Sequence, residues 1–535
     1  MISAANPYAS EAGREVLRAG GSAVDAAIAA QMVLTLVEPQ SSGIGGGAFL
    51  MHFRKSDRKV EAYDGRETAP AAIRPDVFLT ADGKRRAFRD VSTGGAAVGV
   101  PGVLRMLALA HRDHGKLPWA GLFDRAIDLA ENGFPVSPRL NRMIARAKDM
   151  KNFPAARAYF YAPSGEPLAV GHRLRNPALA DTLRRVAAGG ADAFYIGDIA
   201  EDIAKAVRNA ARNPARMTGA DVGKYAAKKR NPVCSSYRTY RLCGMPPPTS
   251  GGLTTLQILG LLESFDIARI PPGSVNAVHM ISEVSRLAFA DRGQYIGDPD
   301  FVPVPVKGLL DGSYLRRRAE RISAIESMGK ALPGRPPGSD RAIYAPDNRE
   351  GFPSTSHLSV IDGDGNAVSL TMSIERAFGS RLMVRGFLLN NQLTDFAYLP
   401  HRGGRPVANA VAPQKRPRSS MSPTLVFDGD GALFATVGSP GGSRIIAYVA
   451  KTLIGLIDWK LDMQAAIDLP IHVNRNGTTE LEKGTPLVSR ADALRRLGHN
   501  VKIRTLTSGL HGIRVTPHGF DGGADRRREG VALGD

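Results

Sequence analysis

One change of pattern constrains this chain more than any other feature. Between Leu332 and Ser354 lie Pro333, Gly334, Pro336, Pro337, Gly338, Pro346, Gly351 and Pro353, with charges among them and little periodicity. Proline removes backbone donors and glycine has no side chain to pack, so residues 332–354 are expected to form an exposed, mobile connector. At Thr355 the pattern switches to strands. Ser356 to Ile361 alternates, Asp362-Gly-Asp-Gly-Asn366 makes a hairpin turn, and Ala367 to Ile374 runs back. Upstream the chain is rich in helix: Ala9 to Leu17, Ala23 to Leu36 behind an N-cap at Ser22, Val103 to His111, Leu122 to Glu131, Pro177 to Ala188, Ile199 to Asn209 and Leu253 to Phe265. Helices and hairpins in blocks, without strict βαβ alternation, predict a layered α+β architecture.

The 535 residues favour more than one folding unit, and 43% hydrophobic with 23% charged residues excludes wholesale disorder. The net charge of +19 suits anionic substrates or partners. Its basic residues are scattered, however, and the runs Lys415 to Arg418, Arg316 to Arg318 and Arg526 to Arg528 have no interleaved aromatics. A solvated basic surface is therefore expected, and no nucleic-acid platform. The best apolar stretch, Ile445 to Ile457, is broken by Lys451 and is shorter than the ~20 residues of a membrane span. The N-terminus has neither a basic region nor an apolar core, so no signal peptide is read in this chain. Cys234 and Cys243 flank a candidate hairpin. Two structural thiols are the expectation there, with one disulfide as the alternative. His111 and His114 have no carboxylate or thiol cluster beside them in the sequence, so they read as structural, and no metal site is expected.

Four segments carry chemistry. Thr355 opens a strand after a connector, the layout in which a threonine freed at its own N-terminus can use its α-amine as base. Val437-Gly-Ser-Pro-Gly-Gly-Ser443 follows a strand and opens a helix, which makes Gly441 and Gly442 candidates for an oxyanion hole. Asp64-Gly-Arg66-Glu67 puts an arginine just past a strand, and Arg418-Ser419-Ser420 puts paired hydroxyls in a turn. Together these resemble a carboxylate clamp. The glycine run Ser41 to Gly47 sits after a helix and before a strand. A dinucleotide fingerprint needs the reverse order, so a nicotinamide site is rejected.

In combination these segments resemble the gamma-glutamyltranspeptidase (glutathione hydrolase) family of N-terminal-nucleophile hydrolases. The likeness also runs through Gly20 to Ala27, Met245 to Gly252, Leu388 to Phe396, Ser419 to Thr424 and the tail Gly523 to Gly530. It implies a four-layer αββα sandwich made by two chains, 1–354 and 355–535, that arise by self-cleavage between Ser354 and Thr355 and remain together as a heterodimer. Thr355 would be the nucleophile, Ser373 the second hydroxyl beside it, and Gly441 and Gly442 the oxyanion hole. Arg66, Ser419 and Ser420 would hold the donor α-carboxylate; Gln392, Asp395 and Glu375 would surround its α-ammonium. Glu375 stands where the family usually has asparagine, and the short stretch from Asp395 to Ser419 implies a reduced lid. The activity implied is removal of γ-glutamyl groups from glutathione-like amides, passed to water or an amine, with no cofactor. A periplasmic or secreted home with a trimmed leader goes with it. The alternatives are a cephalosporin or glutaryl acylase of the same family and, remotely, a non-enzymatic polyanion-binding protein.

Overall fold

The computed structural model describes residues 1–339, 344–347 and 354–535. Strands of the two large sheets, in chain order, are β1 (Ile2–Ala4), β2 (Gly47–Arg54), β3 (Lys59–Gly65), β4 (Lys228–Arg230), β5 (Val233–Tyr237), β6 (Tyr240–Gly244), β7 (Ser356–Ile361), β8 (Ala367–Ser373), β9 (Thr424–Phe427), β10 (Leu433–Gly438), β11 (His511–Thr516), β12 (Gly519–Ala524) and β13 (Val531–Leu533). The first sheet has the order β13-β1-β7-β8-β2-β3-β4 and the second β12-β11-β10-β9-β6-β5. Each sheet draws strands from both sides of Thr355. The helices that matter here are α1 (Pro7–Arg18), α2 (Ala23–Val37), α3 (Val103–His114), α4 (Gly251–Leu262), α5 (Val275–Tyr295) and α6 (Ile445–Ile457).

The sheets face each other, and helices cover both outer faces. Phe49, Met51 and Phe53 of β2 share one buried cluster with Leu425 and Phe427 of β9, Val437 of β10 and the apolar residues of α4, α5 and α6. Ala48 and Leu50, which point to the opposite face of β2, pack with α2 and α3. Strand alternation thus divides β2 between the sheet–sheet interface and the helical layer. Every residue of α2 is buried, so the helix is apolar all round, as a helix enclosed on all sides requires. Ser22 and Asp25 form a capping box that starts it. The result is the four-layer αββα sandwich of the N-terminal-nucleophile type.

Two expectations change at this level. Cys234 and Cys243 form a disulfide rather than remaining as thiols, because they are direct cross-strand partners in the β5–β6 hairpin. The connector 332–354 is described over 332–339, 344–347 and 354, and part of it is tied to α5: Gly334 N donates to Asp291 Oδ1 at 2.7 Å, and Tyr295 Oη donates to the Gly334 carbonyl at 2.5 Å. Residues 340–343 and 348–353 lie outside the described residues. Among the described residues, no helix is long and apolar enough to cross a membrane. Lys451 is buried in α6 because its Nζ donates to the Ile467 and Leu469 carbonyls at 2.9 and 3.0 Å.

Candidate active site

The β7–β8 hairpin sets the centre of the site. Its register pairs Ser356 with Met372 and His357 with Thr371, which carried one residue further sets Ser373 across from Thr355. Thr355 Oγ1 lies 3.2 Å from Ser373 Oγ. Both hydroxyls donate to the Ser354 carbonyl, at 2.7 and 2.9 Å. Ser354 Oγ donates to the Gln40 carbonyl. The glycine run explains this approach: a Cβ on Gly46 would stand 2.2 Å from the Ser373 carbonyl oxygen, so only glycine lets the 43–47 turn pass beneath the hairpin.

Thr355 opens onto a narrow cleft, which Ser373, Glu375, Gln392, Asp395, Ser419, Ser420 and Gly442 also line. Eight of the residues singled out from the sequence therefore converge on one cleft. Met421, Ser443 and Ile445 complete its wall. Gly441 immediately precedes Gly442 at φ +142°, and a Cβ there would meet the Tyr448 ring at 2.5 Å. The strand-to-helix turn at the mouth of α6 thus needs glycine at this position. Asn390 fixes the approach to Gln392, since its Nδ2 donates to the Gly45 and Gly99 carbonyls, both at 2.8 Å. Between Asp395 and Ser419 the chain forms only a small hairpin, His401–Arg402 against Arg405–Pro406.

Arg66 does not line the cleft. It is fully buried one layer behind, where Nη2 binds Asp395 Oδ2 at 2.6 Å and Nε donates to the Pro417 carbonyl at 3.1 Å. Its neighbour Glu67 is pushed up to about 8 by burial, against the pull of Arg66. The Asp395 carboxylate that lines the cleft is thus backed by a guanidinium, and Glu375 lines the same cleft. Glu375 adopts φ +75°, and its amide donates to Ser373 Oγ at 2.8 Å.

Sequence reading missed three groups. Arg292 of α5 donates from Nη2 to Ser420 Oγ and from Nε to Ser250 Oγ, both at 2.8 Å. Burial, then Arg418, hold it well below the ordinary arginine value. Arg528 donates from Nη1 to the Thr355 carbonyl at 2.9 Å. Gln40 takes the Ser354 hydroxyl. No sequence spacing signals these contacts, because the partners lie 42 to 314 residues away.

The structure also overturns the view that no carboxylate joins the two α3 histidines. Glu61 lies 2.9 Å from His114, and Asp25 lies 3.5 Å from His111. His52 completes a group with Glu61 and His114. Its ring stacks on that of His114 with centroids 3.8 Å apart. Lys59 and Lys229 both bridge to Glu61, at 3.0 and 3.1 Å.

The family model described as Gamma-glutamyltranspeptidase matches residues 9–535. The chain belongs to the gamma-glutamyltranspeptidase family. It is 37% identical over 550 residues to the glutathione hydrolase proenzyme of Bacillus subtilis (strain 168), covering 100% of this chain and 91% of that protein. It is also 35% identical to the acylase ACY 1 proenzyme of Pseudomonas sp. (strain V22), over 100% of this chain and 93% of that one. The solved structure of cephalosporin acylase from Bacillus halodurans superposes with a TM-score of 0.87 at 28% identity, covering 99% of this chain and 94% of that one. This gamma-glutamyltranspeptidase family member is therefore similar over its whole length both to hydrolases of glutathione and to acylases.

Proposed function

We propose that the chain is a proenzyme that cuts itself between Ser354 and Thr355, and that the product removes γ-glutamyl groups from glutathione and related amides through a Thr355 ester. The observation that carries this reading is the Ser354 carbonyl, which accepts from both Thr355 Oγ1 and Ser373 Oγ. In maturation Thr355 Oγ1 attacks that carbonyl carbon. A C–O bond forms, the C–N bond breaks, and the nitrogen leaves with the hydroxyl proton as a free α-amine. Water then hydrolyses the ester, leaving a carboxylate on Ser354. Segments 1–354 and 355–535 stay together because both sheets interleave strands from the two.

In turnover the freed amine takes the Thr355 hydroxyl proton as Oγ1 attacks the donor γ-carbonyl. The Gly441–Gly442 amides offer hydrogen bonds to the developing oxyanion. The proton passes to the leaving amine, and water or an acceptor amine then releases the glutamyl group. Asp395 and Glu375 supply negative charge suited to the donor α-ammonium; Ser419 and Ser420 supply hydroxyls for its α-carboxylate. Arg66 acts through Asp395 and Arg292 through Ser420.

The test is intact mass with N-terminal sequencing. The wild type should yield a chain beginning Thr-Ser-His-Leu-Ser, and Thr355→Ala should remain one chain of 57.1 kDa. Cleavage of Thr355→Ala at that bond, or an uncut wild type, would end this reading.

A further inference from the structure

Arg528 touches the nucleophilic residue itself and not the cleft. Its Nη1 donates to the Thr355 carbonyl at 2.9 Å and its Nη2 to the Thr507 carbonyl at 3.4 Å. The side chain is buried, and Nε has no hydrogen-bond partner. Glu38 and Asp525 attract it only through space, while Arg139 opposes it. Burial first, then Arg139, push it down to about 9, which leaves it charged at neutral pH. Its guanidinium is thus held by carbonyls, and among the described residues no carboxylate oxygen takes its hydrogen bonds.

That placement has a consequence for the amine that cleavage would create. The carbonyl held by Arg528 and the nitrogen released from Ser354 belong to the same residue, joined through one Cα. An α-amine titrates ordinarily at about 7.7–8.0, so near neutral pH most of it would be protonated and unable to accept the hydroxyl proton. A like charge within about 4–6 Å lowers such a value by roughly 1–3 units. The carboxylates of Glu375 and Asp395 line the same cleft and pull the other way, with Asp395 partly offset by Arg66. Ser373 Oγ, 3.2 Å from Thr355 Oγ1, is neutral, and the carboxylate that cleavage leaves on Ser354 pulls with Glu375 and Asp395 for as long as it stays beside the amine. Among the described residues, Arg528 is the cation that hydrogen-bonds to this residue.

We propose that Arg528 is a positioning residue that fixes Thr355 by its carbonyl and whose charge keeps the freed α-amine neutral and able to accept a proton. This rests on reading Thr355 as an N-terminal nucleophile.

The experiment measures kcat/KM against pH for a γ-glutamyl anilide, using processed wild type, Arg528→Lys and Arg528→Gln. The wild-type acidic limb should fall below the ordinary amine range, under about 7.7. Arg528→Gln should move that limb up by about one unit or more, and Arg528→Lys should leave it close to wild type. A purely structural role would lower the whole profile without moving the limb, and that result overturns the proposal. So does a lysine variant that shifts as far as the glutamine one. If Arg528→Gln does not fold or cut itself, the wild type decides: its Thr355 amine is titrated by the pH dependence of its acylation by an amine-selective reagent, read by mass on the N-terminal peptide. A midpoint at or above about 8 overturns the proposal. A wild type without the Thr355 N-terminus sinks both readings, whereas a processed wild type with an unshifted limb sinks this one alone.

Discussion

Glu375 shows most sharply what single residues contribute. A non-glycine residue at φ +75° costs on the order of 1 kcal/mol relative to ordinary backbone, and such positions persist where surrounding structure imposes them. Here the imposing contact is the Glu375 amide on Ser373 Oγ at 2.8 Å, which ties the cleft wall to the hydroxyl beside the nucleophile. Glu375 and Asp395 both line the cleft, and the proposed function puts the donor ammonium end against them. A γ-glutamyl donor brings an ammonium there, and a glutaryl donor brings none. Glu375→Gln keeps the side-chain length and removes one charge. It should lower kcat/KM for γ-glutamyl donors and raise the glutaryl-to-glutamyl ratio by about tenfold or more, since one partly buried charge contact is worth at least ~1.4 kcal/mol. Competing the two donors on one preparation measures that ratio. An unchanged ratio would take Glu375 out of donor recognition and favour the acylase reading.

At the scale of elements, the β7–β8 hairpin was legible because alternation and a glycine-rich turn fix register locally. That register alone brings Ser373 to Thr355. Helix α5 was not legible. Nearly all of its 21 residues are buried, so it has no apolar stripe at helical spacing to betray it, and Arg292 went unseen with it. The β5–β6 hairpin was legible as a hairpin but not as a disulfide, because pairing depends on whether the two cysteines fall opposite each other. They do, at a sequence separation of 9. Closing a loop of that size stabilises by about 2–3 kcal/mol on chain-entropy grounds. The double variant Cys234→Ser/Cys243→Ser should therefore melt lower than wild type by that equivalent while retaining turnover at 25 °C. Reduction of the wild type should reproduce the drop, and identical melting curves would show that the bridge contributes nothing.

At the scale of the molecule, burial dominates the titration of several histidines. His52 is pushed down to about 3, and His472 and His511 to about 4, in each case first by loss of solvent. Above their ordinary value of 6.5 these rings are neutral in both folded and unfolded chains, and they add no pH dependence. As pH falls from 6.5 towards 4 the unfolded chain takes up protons that the folded chain refuses, so folding stability falls with pH across that window. Thermal melts at pH 7.5, 6, 5 and 4.5 should show a progressive decline that begins near 6.5. A flat profile would mean that these rings accept protons without unfolding. The sequence by itself determined the layered α+β class, the strand that begins at Thr355, the hairpin that sets Ser373 beside it and the glycine turn that opens α6, because periodicity, turn chemistry and register act over a few residues. Only the tertiary structure decided that Arg66 stands behind Asp395, that Arg292 and Arg528 support Ser420 and Thr355, and that Cys234 meets Cys243. Those outcomes depend on which buried groups find a partner when distant segments close over one another, and a guanidinium out of water takes whichever oxygen the packing brings within reach.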